Sequence, residues 1–295
     1  MKIYMYKNYF LKYISNCPKS LEIPSNDFES YEMYPTYKKL YNKKYVAESQ
    51  NLMCGYQIND DDIDFPVIVR PTTNLYGMGR GAYYLYEKKQ IKKEDFWCEI
   101  LKGLHISVDV FYNSFGINGY IAFYGKSDKL CTFSYWEYLP NYRLPNNIIN
   151  WIHNNLKDYN GVFNIEIIGN KIIECHLRMG DINYFQDKNL IDKLIECYQN
   201  HKIVLHQLPK IYLVPVFVDK DKKILLRDED IWYFCRITNT IKHVKNYLID
   251  PLPSNDIGNP LGGNRICMFT VTDLEKGMKI KKEILNNLDR IDMSR

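Results

Sequence analysis

A chain of 295 residues with 46% hydrophobic composition can bury the core of one large or two medium domains, which supports a globular protein. The 39 Lys and Arg residues against 35 Asp and Glu leave a net charge of +4, which neither demands nor excludes nucleic acid. The cysteines (Cys17, Cys54, Cys98, Cys131, Cys175, Cys197, Cys235, Cys267) include no C-x-x-C pair, so reduced, buried thiols are expected in place of a zinc centre or disulfide framework. No apolar run is long enough for a signal peptide or a membrane span, and a soluble, cytoplasmic protein is expected. The 26 tyrosines, with abundant Ile, Lys and Asn, share AT-rich codons and read first as the composition of an AT-rich genome, cellular or viral.

Met1 to about Ile63 is aromatic and basic. Its opening run, MKIYMYKNYFLKYI, fits a strand or a short helix, and Pro18, Pro24-Ser25 and Pro35 mark turns. From Tyr37 to Leu52, Leu40, Tyr41, Tyr45 and Val46 recur at helical spacing, with Lys43 and Lys44 on what reads as a solvated basic face. Asn59-Asp60-Asp61-Asp62 reads as a solvated loop. The stretch Phe65 to Ala82, FPVIVRPTTNLYGMGRGA, then combines an apolar β-branched run, a cation at Arg70, a stiffening Pro71 and a loop carrying Gly77, Gly79 and Gly81. Glycines let successive N–H groups point at an anion, and Arg70 at the strand end would grip phosphate oxygens, so the order is that of a strand feeding a phosphate-covering loop. A plain glycine-rich turn between two strands carries the same signature.

Ala82 to Tyr86 is expected to return as a strand, followed by Phe96 to Ile100, with a bend at Leu101-Lys102-Gly103. Ile106 to Phe111 and Tyr120 to Tyr124 read as a meander turning at Asn118-Gly119, and Cys131 to Tyr138 as a further strand. Asn147 to Leu156 has the apolar spacing of a helix packed on a sheet, with His153 on its surface side. Gly161 to Asp181, GVFNIEIIGNKIIECHLRMGD, reads as two strands joined by a tight turn at Gly169-Asn170. Alternation puts Asn164 and Glu166 on one face, and Glu174, His176 and Arg178 on one face of the partner strand. Such a hairpin is costly unless a cation or phosphate shares the space. Leu190 to Tyr198 fits an amphipathic helix. IYLVPVFV and the KILL segment fit two strands joined by the charged turn Asp219 to Lys223, with Asp228-Glu229-Asp230 as a strand-end turn. Pro251, Pro253 and Pro260 with Gly258, Gly262 and Gly263 mark a long loop; a strand from Arg265 to Val271 and a helix from Asp273 to about Leu288, supported by a Glu275-Lys279 pair, complete the chain.

The order VIVRP, glycine loop, CEILKGLHISVDVF, then IEII and IECHLR resembles the ATP-grasp superfamily over roughly Phe65 to Asp181. The resemblance implies an α+β fold in which two subdomains with antiparallel sheets enclose a nucleotide cleft: an N-terminal extension over 1–63, a glycine-loop lid over 64–104 and a C-terminal subdomain over 105–295. It implies ATP with Mg²⁺ or Mn²⁺ as cofactors. Arg70, Gly77, Gly79 and Gly81 would hold phosphates, Cys98, Glu99, Ile100 and Leu101 would line adenine through backbone groups, and Arg178 would join Arg70 in offsetting charge on the transferred phosphoryl group. Glu166, Glu174 and His176 fall at metal positions, with Asn164 an alternative to Glu166 as the first of them. A lysine upstream of the first strand, Lys43 or Lys44, is in the region that often reaches the nucleotide.

Two residues depart from the family pattern. His105 stands where a ribose-binding glutamate is usual, and His176 where a metal-binding asparagine is usual; imidazole favours a softer metal than Mg²⁺, or none. The stretch before Phe65 is also short for the separate α/β domain that helps bind substrate in this superfamily. The resemblance therefore implies either an ATP-dependent ligase joining a carboxylate to an amine through an acylphosphate, or an inactive descendant with a structural or binding role. Lysines interleaved with tyrosines near the N-terminus would suit single-stranded nucleic acid, but composition explains them, and neither nucleic acid nor membrane is an expected partner. The carboxylate and amine substrates and the oligomeric state are not legible.

Overall fold

Runs with alternating apolar and polar residues form the strands of this chain, and the computed structural model resolves them into two antiparallel sheets. It describes residues 21–58, 63–129, 131–180, 188–219, 222, 224–250 and 262–289. The N-terminal aromatic run, the acidic run 59–62, most of the proline–glycine loop at 251–261 and part of the charged turn at 219–223 lie outside the described residues.

The smaller sheet contains β1 (Cys54–Gly55), β2 (Val67–Pro71), β3 (Tyr83–Leu85) and β4 (Asp95–Cys98) in the order β1-β4-β2-β3. Val67, Val69, Leu85 and Trp97 form its own small core. The larger sheet contains β5 (His105–Asn113), β6 (Gly116–Lys129), β7 (Thr132–Tyr138), β8 (Gly161–Ile168), β9 (Lys171–His176), β10 (Tyr212–Val218), β11 (Val244–Ile249) and β12 (Asn264–Val271). Their order is β11-β12-β10-β7-β6-β5-β8-β9.

Helices cover the larger sheet where its strands present apolar rows. Ile106, Val108 and Val110 of β5 and Phe163, Ile165 and Ile167 of β8 pack with Leu40 and Val46 near the N-terminus and Ile148, Trp151 and Ile152 of a helix that we number α3 (Asn146–Asn155). Each such fully buried side chain contributes about 1.5–3 kcal/mol of transfer free energy. Before it in the chain come α1 (Asp27–Met33), a 3₁₀ turn (Pro35–Tyr41) and α2 (Lys43–Glu48). Phe111 and Val162, of opposite alternation, meet Leu190, Leu194 and Cys197 of α4 (Lys188–Tyr198). The β10–β12 end is covered by α5 (Asp228–Ile237) and α6 (Leu274–Asn286).

Several local expectations change. The helix expected from Tyr37 to Leu52 breaks at Asn42, whose side chain accepts the Tyr45 amide and starts α2 afresh. Asn118-Gly119 is not a turn but part of β6; the turn lies at Ser114-Phe115. Asn118 is used otherwise, donating to Asn113 Oδ1 at 2.7 Å and accepting the Ile203 amide, while Gly119 makes room for Leu205. The described part of the KILL segment, residues 224–226, forms no strand: Ile224 and Leu226 are buried as they lead into α5. Asp228-Glu229-Asp230 is the first turn of that helix, where carboxylates complement the helix dipole and Asp230 accepts the Arg227 amide. Lys279 reaches the Thr238 carbonyl in place of Glu275. The seven described cysteines are free thiols.

Candidate active site

Three adjacent strands bring polar residues to one face of the larger sheet. In register, Ser107 of β5 opposes Glu166 of β8, and Asp109 opposes Asn164; Glu166 opposes Glu174 of β9, and Asn164 opposes His176. Because alternate residues of the same strands enter the apolar core, the polar stripe faces the other way, towards the smaller sheet. Between the sheets lies a cavity of about 600 Å³. Its lining includes Arg70 and the glycine loop from one side, His105, Asp109, Glu166, Glu174, His176 and Arg178 from the other, and Asp27 and Lys43 from the N-terminal helices.

The charges at one end form a chain of contacts. Lys43 Nζ donates to Glu174 Oε1 at 2.5 Å, and His176 Nε2 contacts Glu174 Oε2 at 3.2 Å. His176 Nδ1 lies 3.0 Å from Asp27 Oδ1, and Arg178 donates to both oxygens of Asp27, at 3.0 and 2.9 Å. Burial would push the His176 imidazole down, but the Asp27 carboxylate and the bonds to Asp27 and Glu174 raise it to about 9. It is therefore protonated and donates from both nitrogens. Burial would likewise raise both carboxyls; Arg178 and His176 hold Asp27, and Lys43 and His176 hold Glu174, well below the usual carboxylate range.

Arg70 differs from these cations. It is 7% exposed, yet it forms no ion pair among the described residues. Its guanidinium lies over the Phe96 ring at 5.3 Å and donates from Nη1 to the Ile173 carbonyl at 3.3 Å, while its buried Nε has no hydrogen-bond partner. A buried guanidinium left in this condition is costly unless an anion completes it. The glycine loop beside it is seated on the β6–β7 hairpin: Gly79, at φ +60°, lies so close to Cys131 that a Cβ would collide with the thiol.

Further along the cavity His105 Nε2 meets Glu166 Oε2 at 2.9 Å, with its ring edge-on to Phe133 and Trp136 at 5.0 and 5.5 Å. Asp109, 2% exposed, accepts the Gly180 amide at 2.6 Å and the Asn164 side chain at 3.2 Å.

No family model matches the sequence. No curated protein matches it either. Solved structures do match the fold. Carboxyaminoimidazole ribonucleotide synthase from Aspergillus clavatus, complexed with ATP, aligns with a TM-score of 0.56 at 11% identity, over 88% of this chain and 75% of that one. N5-carboxyaminoimidazole ribonucleotide synthetase from Thermotoga maritima gives 0.54 at 13% identity, over 90% and 77%. L-amino acid ligase from Bacillus licheniformis gives 0.57 at 9% identity, over 85% and 73%. The chain has the ATP-grasp fold.

Within the ATP-grasp cleft the structure brings together Arg70, Gly77, Gly79, Leu101, His105, Glu166, Glu174, His176 and Arg178. Gly81 packs on Pro71 instead. Cys98 is turned into a small core, where burial pushes its thiol up to about 11. Glu99 accepts the Met53 amide at 2.8 Å, tying β4 to the segment before β1, and Ile100 is half-buried outside the cavity lining. Asp27 and Asp109 were not singled out by sequence reasoning. Asp109 carried a signal, since His105, Ser107 and Asp109 alternate along one strand face; Asp27 carried none beyond an acidic first helical turn.

The metal ion implied by the resemblance is a different matter. Both oxygens of Glu174 are engaged by Lys43 and His176, Glu166 is paired with His105, and the two ring nitrogens of His176 are taken up by Asp27 and Glu174. No group of three or more His, Cys, Asp or Glu among the described residues is arranged to hold a metal. The donor set, as arranged, does not fit Mg²⁺, which demands hard oxygens in near-octahedral geometry. Among the described residues no helix is long and apolar enough to cross a membrane.

Proposed function

We propose that the cleft binds ATP and that the protein is an ATP-dependent ligase joining a carboxylate to an amine. The observation that carries this reading is Arg70: a buried guanidinium, lacking a carboxylate partner among the described residues and lining the cavity beneath a glycine loop, is matched by a phosphate. Tyr76 supports it by packing edge-on against Phe28 at 4.8 Å, half-exposed, which leaves the cavity open. In the proposed reaction a substrate carboxylate oxygen attacks the γ-phosphorus. The new P–O bond forms as the bond to the β-phosphate oxygen breaks, giving an acylphosphate and ADP. An amine then attacks the acyl carbon, loses its proton and expels phosphate.

Arg70 and the loop amides position the phosphates, Lys43 and Arg178 offset the charge that develops on the transferred group, Leu101 borders the base, and His105 with Glu166 meets the ribose hydroxyls. Hydroxylamine tests the reading, because it traps an acylphosphate as a hydroxamate. With ATP and a mixture of amino and carboxylic acids, wild type should yield ADP and hydroxamate together. Arg70→Ala should lose about 100-fold in kcat/KM, or roughly 2.7 kcal/mol of transition-state stabilisation. The second reading, an inactive nucleotide-binding descendant, draws on the saturation of Glu174 by Lys43 and His176; ATP binding without ADP formation on any acid would establish it.

A further inference from the structure

The cleft supplies its own counter-ions. We infer that it takes a nucleoside triphosphate without a divalent cation, with Lys43 occupying the place on Glu174 that a metal would hold; this rests on the nucleotide reading above. Lys43 is 5% exposed and is held there by the fold: it opens α2, and its backbone amide donates to the Thr72 carbonyl at 2.8 Å at the start of the glycine loop. Its ammonium lies on one oxygen of Glu174 while His176 takes the other. A divalent cation on Glu174 would meet the Lys43 ammonium there, and displacing it would leave a buried ammonium unpaired, a penalty that works against the metal.

The remaining charges agree. Asp27 is closed on both oxygens by Arg178 and on one by His176, so it offers no vacant carboxylate edge. Lys43, His176 and Arg178 are the cations that contact Asp27 and Glu174, whereas Arg70 has no carboxylate partner among the described residues. The Lys43 ammonium uses one of its three N–H groups on Glu174 and lines the cavity. The others are placed for phosphate oxygens, so one residue both neutralises the hairpin and contacts the polyanion. A ligand bearing its full negative charge suits this site better than one whose charge a metal has already reduced.

Isothermal titration of the full chain with ATP, in EDTA and in excess Mg²⁺, decides the point. Binding in EDTA as tight as in Mg²⁺, or tighter, is the expected result. Tighter binding with Mg²⁺ would overturn the inference and leave the nucleotide reading standing, whereas no binding in either condition would overturn both. Lys43→Met frees Glu174 for a cation, so this variant should acquire about a tenfold preference for ATP with Mg²⁺. If it binds ATP as wild type does in both conditions, Lys43 is not the counter-ion. The wild-type comparison involves no substitution and stands whether or not the variant folds.

Discussion

At His176 burial and charge act in opposite directions, and charge wins, raising the imidazole from 6.5 to about 9. Between those values the folded chain keeps a proton that the unfolded chain has released. The stabilisation is therefore complete below pH 6.5 and is lost as pH rises through about 9. At 1.36 kcal/mol per unit the effect reaches about 3 kcal/mol. Thermal unfolding from pH 6.5 to 9 should show a falling transition temperature, and His176→Gln should flatten that slope; an equally steep slope in the variant would place the titrating group elsewhere. Asp27 acts at the other end, its depressed carboxyl contributing stability that is lost as acid reprotonates it. The partners of this network show which residues a sequence reveals. Glu174, His176 and Arg178 alternate on one short segment and are legible by period alone. Asp27 meets His176 across 149 positions and Lys43 meets Glu174 across 131, distances over which no local pattern carries information.

Among the elements, the loop between β2 and β3 is the one on which the proposed nucleotide binding turns. Gly79 holds its seat against Cys131 with a positive φ and no room for a side chain. Gly79→Val should lift the loop from the β6–β7 hairpin and weaken ATP binding about tenfold, near 1.4 kcal/mol, with the far-UV circular dichroism unchanged. Titration with ATP checks this, and unaltered affinity would mean that the loop takes no part. The hairpin Gly161 to His176 and the helix Asn146–Asn155 were legible because their periodicity agrees with their burial. Asn118-Gly119 misled because a turn-forming pair was needed inside a strand, where Asn118 cross-links Asn113 and Ile203. Helix α5 was hidden by its acidic first turn, which resembles a loop until the buried Ile231, Phe234 and Cys235 that follow are counted.

In the whole molecule two antiparallel sheets face each other across one cavity, and the same arrangement recurs in enzymes only 9–13% identical to this chain. A fold survives such divergence because its sheets need only apolar and polar residues in alternation, whereas the site needs particular side chains. His105 and His176 lie on the polar face of the cleft, outside the apolar rows that build its walls. The central claim is that Arg70 awaits a phosphate. Its most direct measurement is the affinity for ATP of wild type and Arg70→Met, which keeps the bulk of the side chain and removes only the guanidinium. The account predicts a loss of at least about tenfold, or 1.4 kcal/mol, in the variant, with the fold intact. Equal affinity in the two proteins would contradict it.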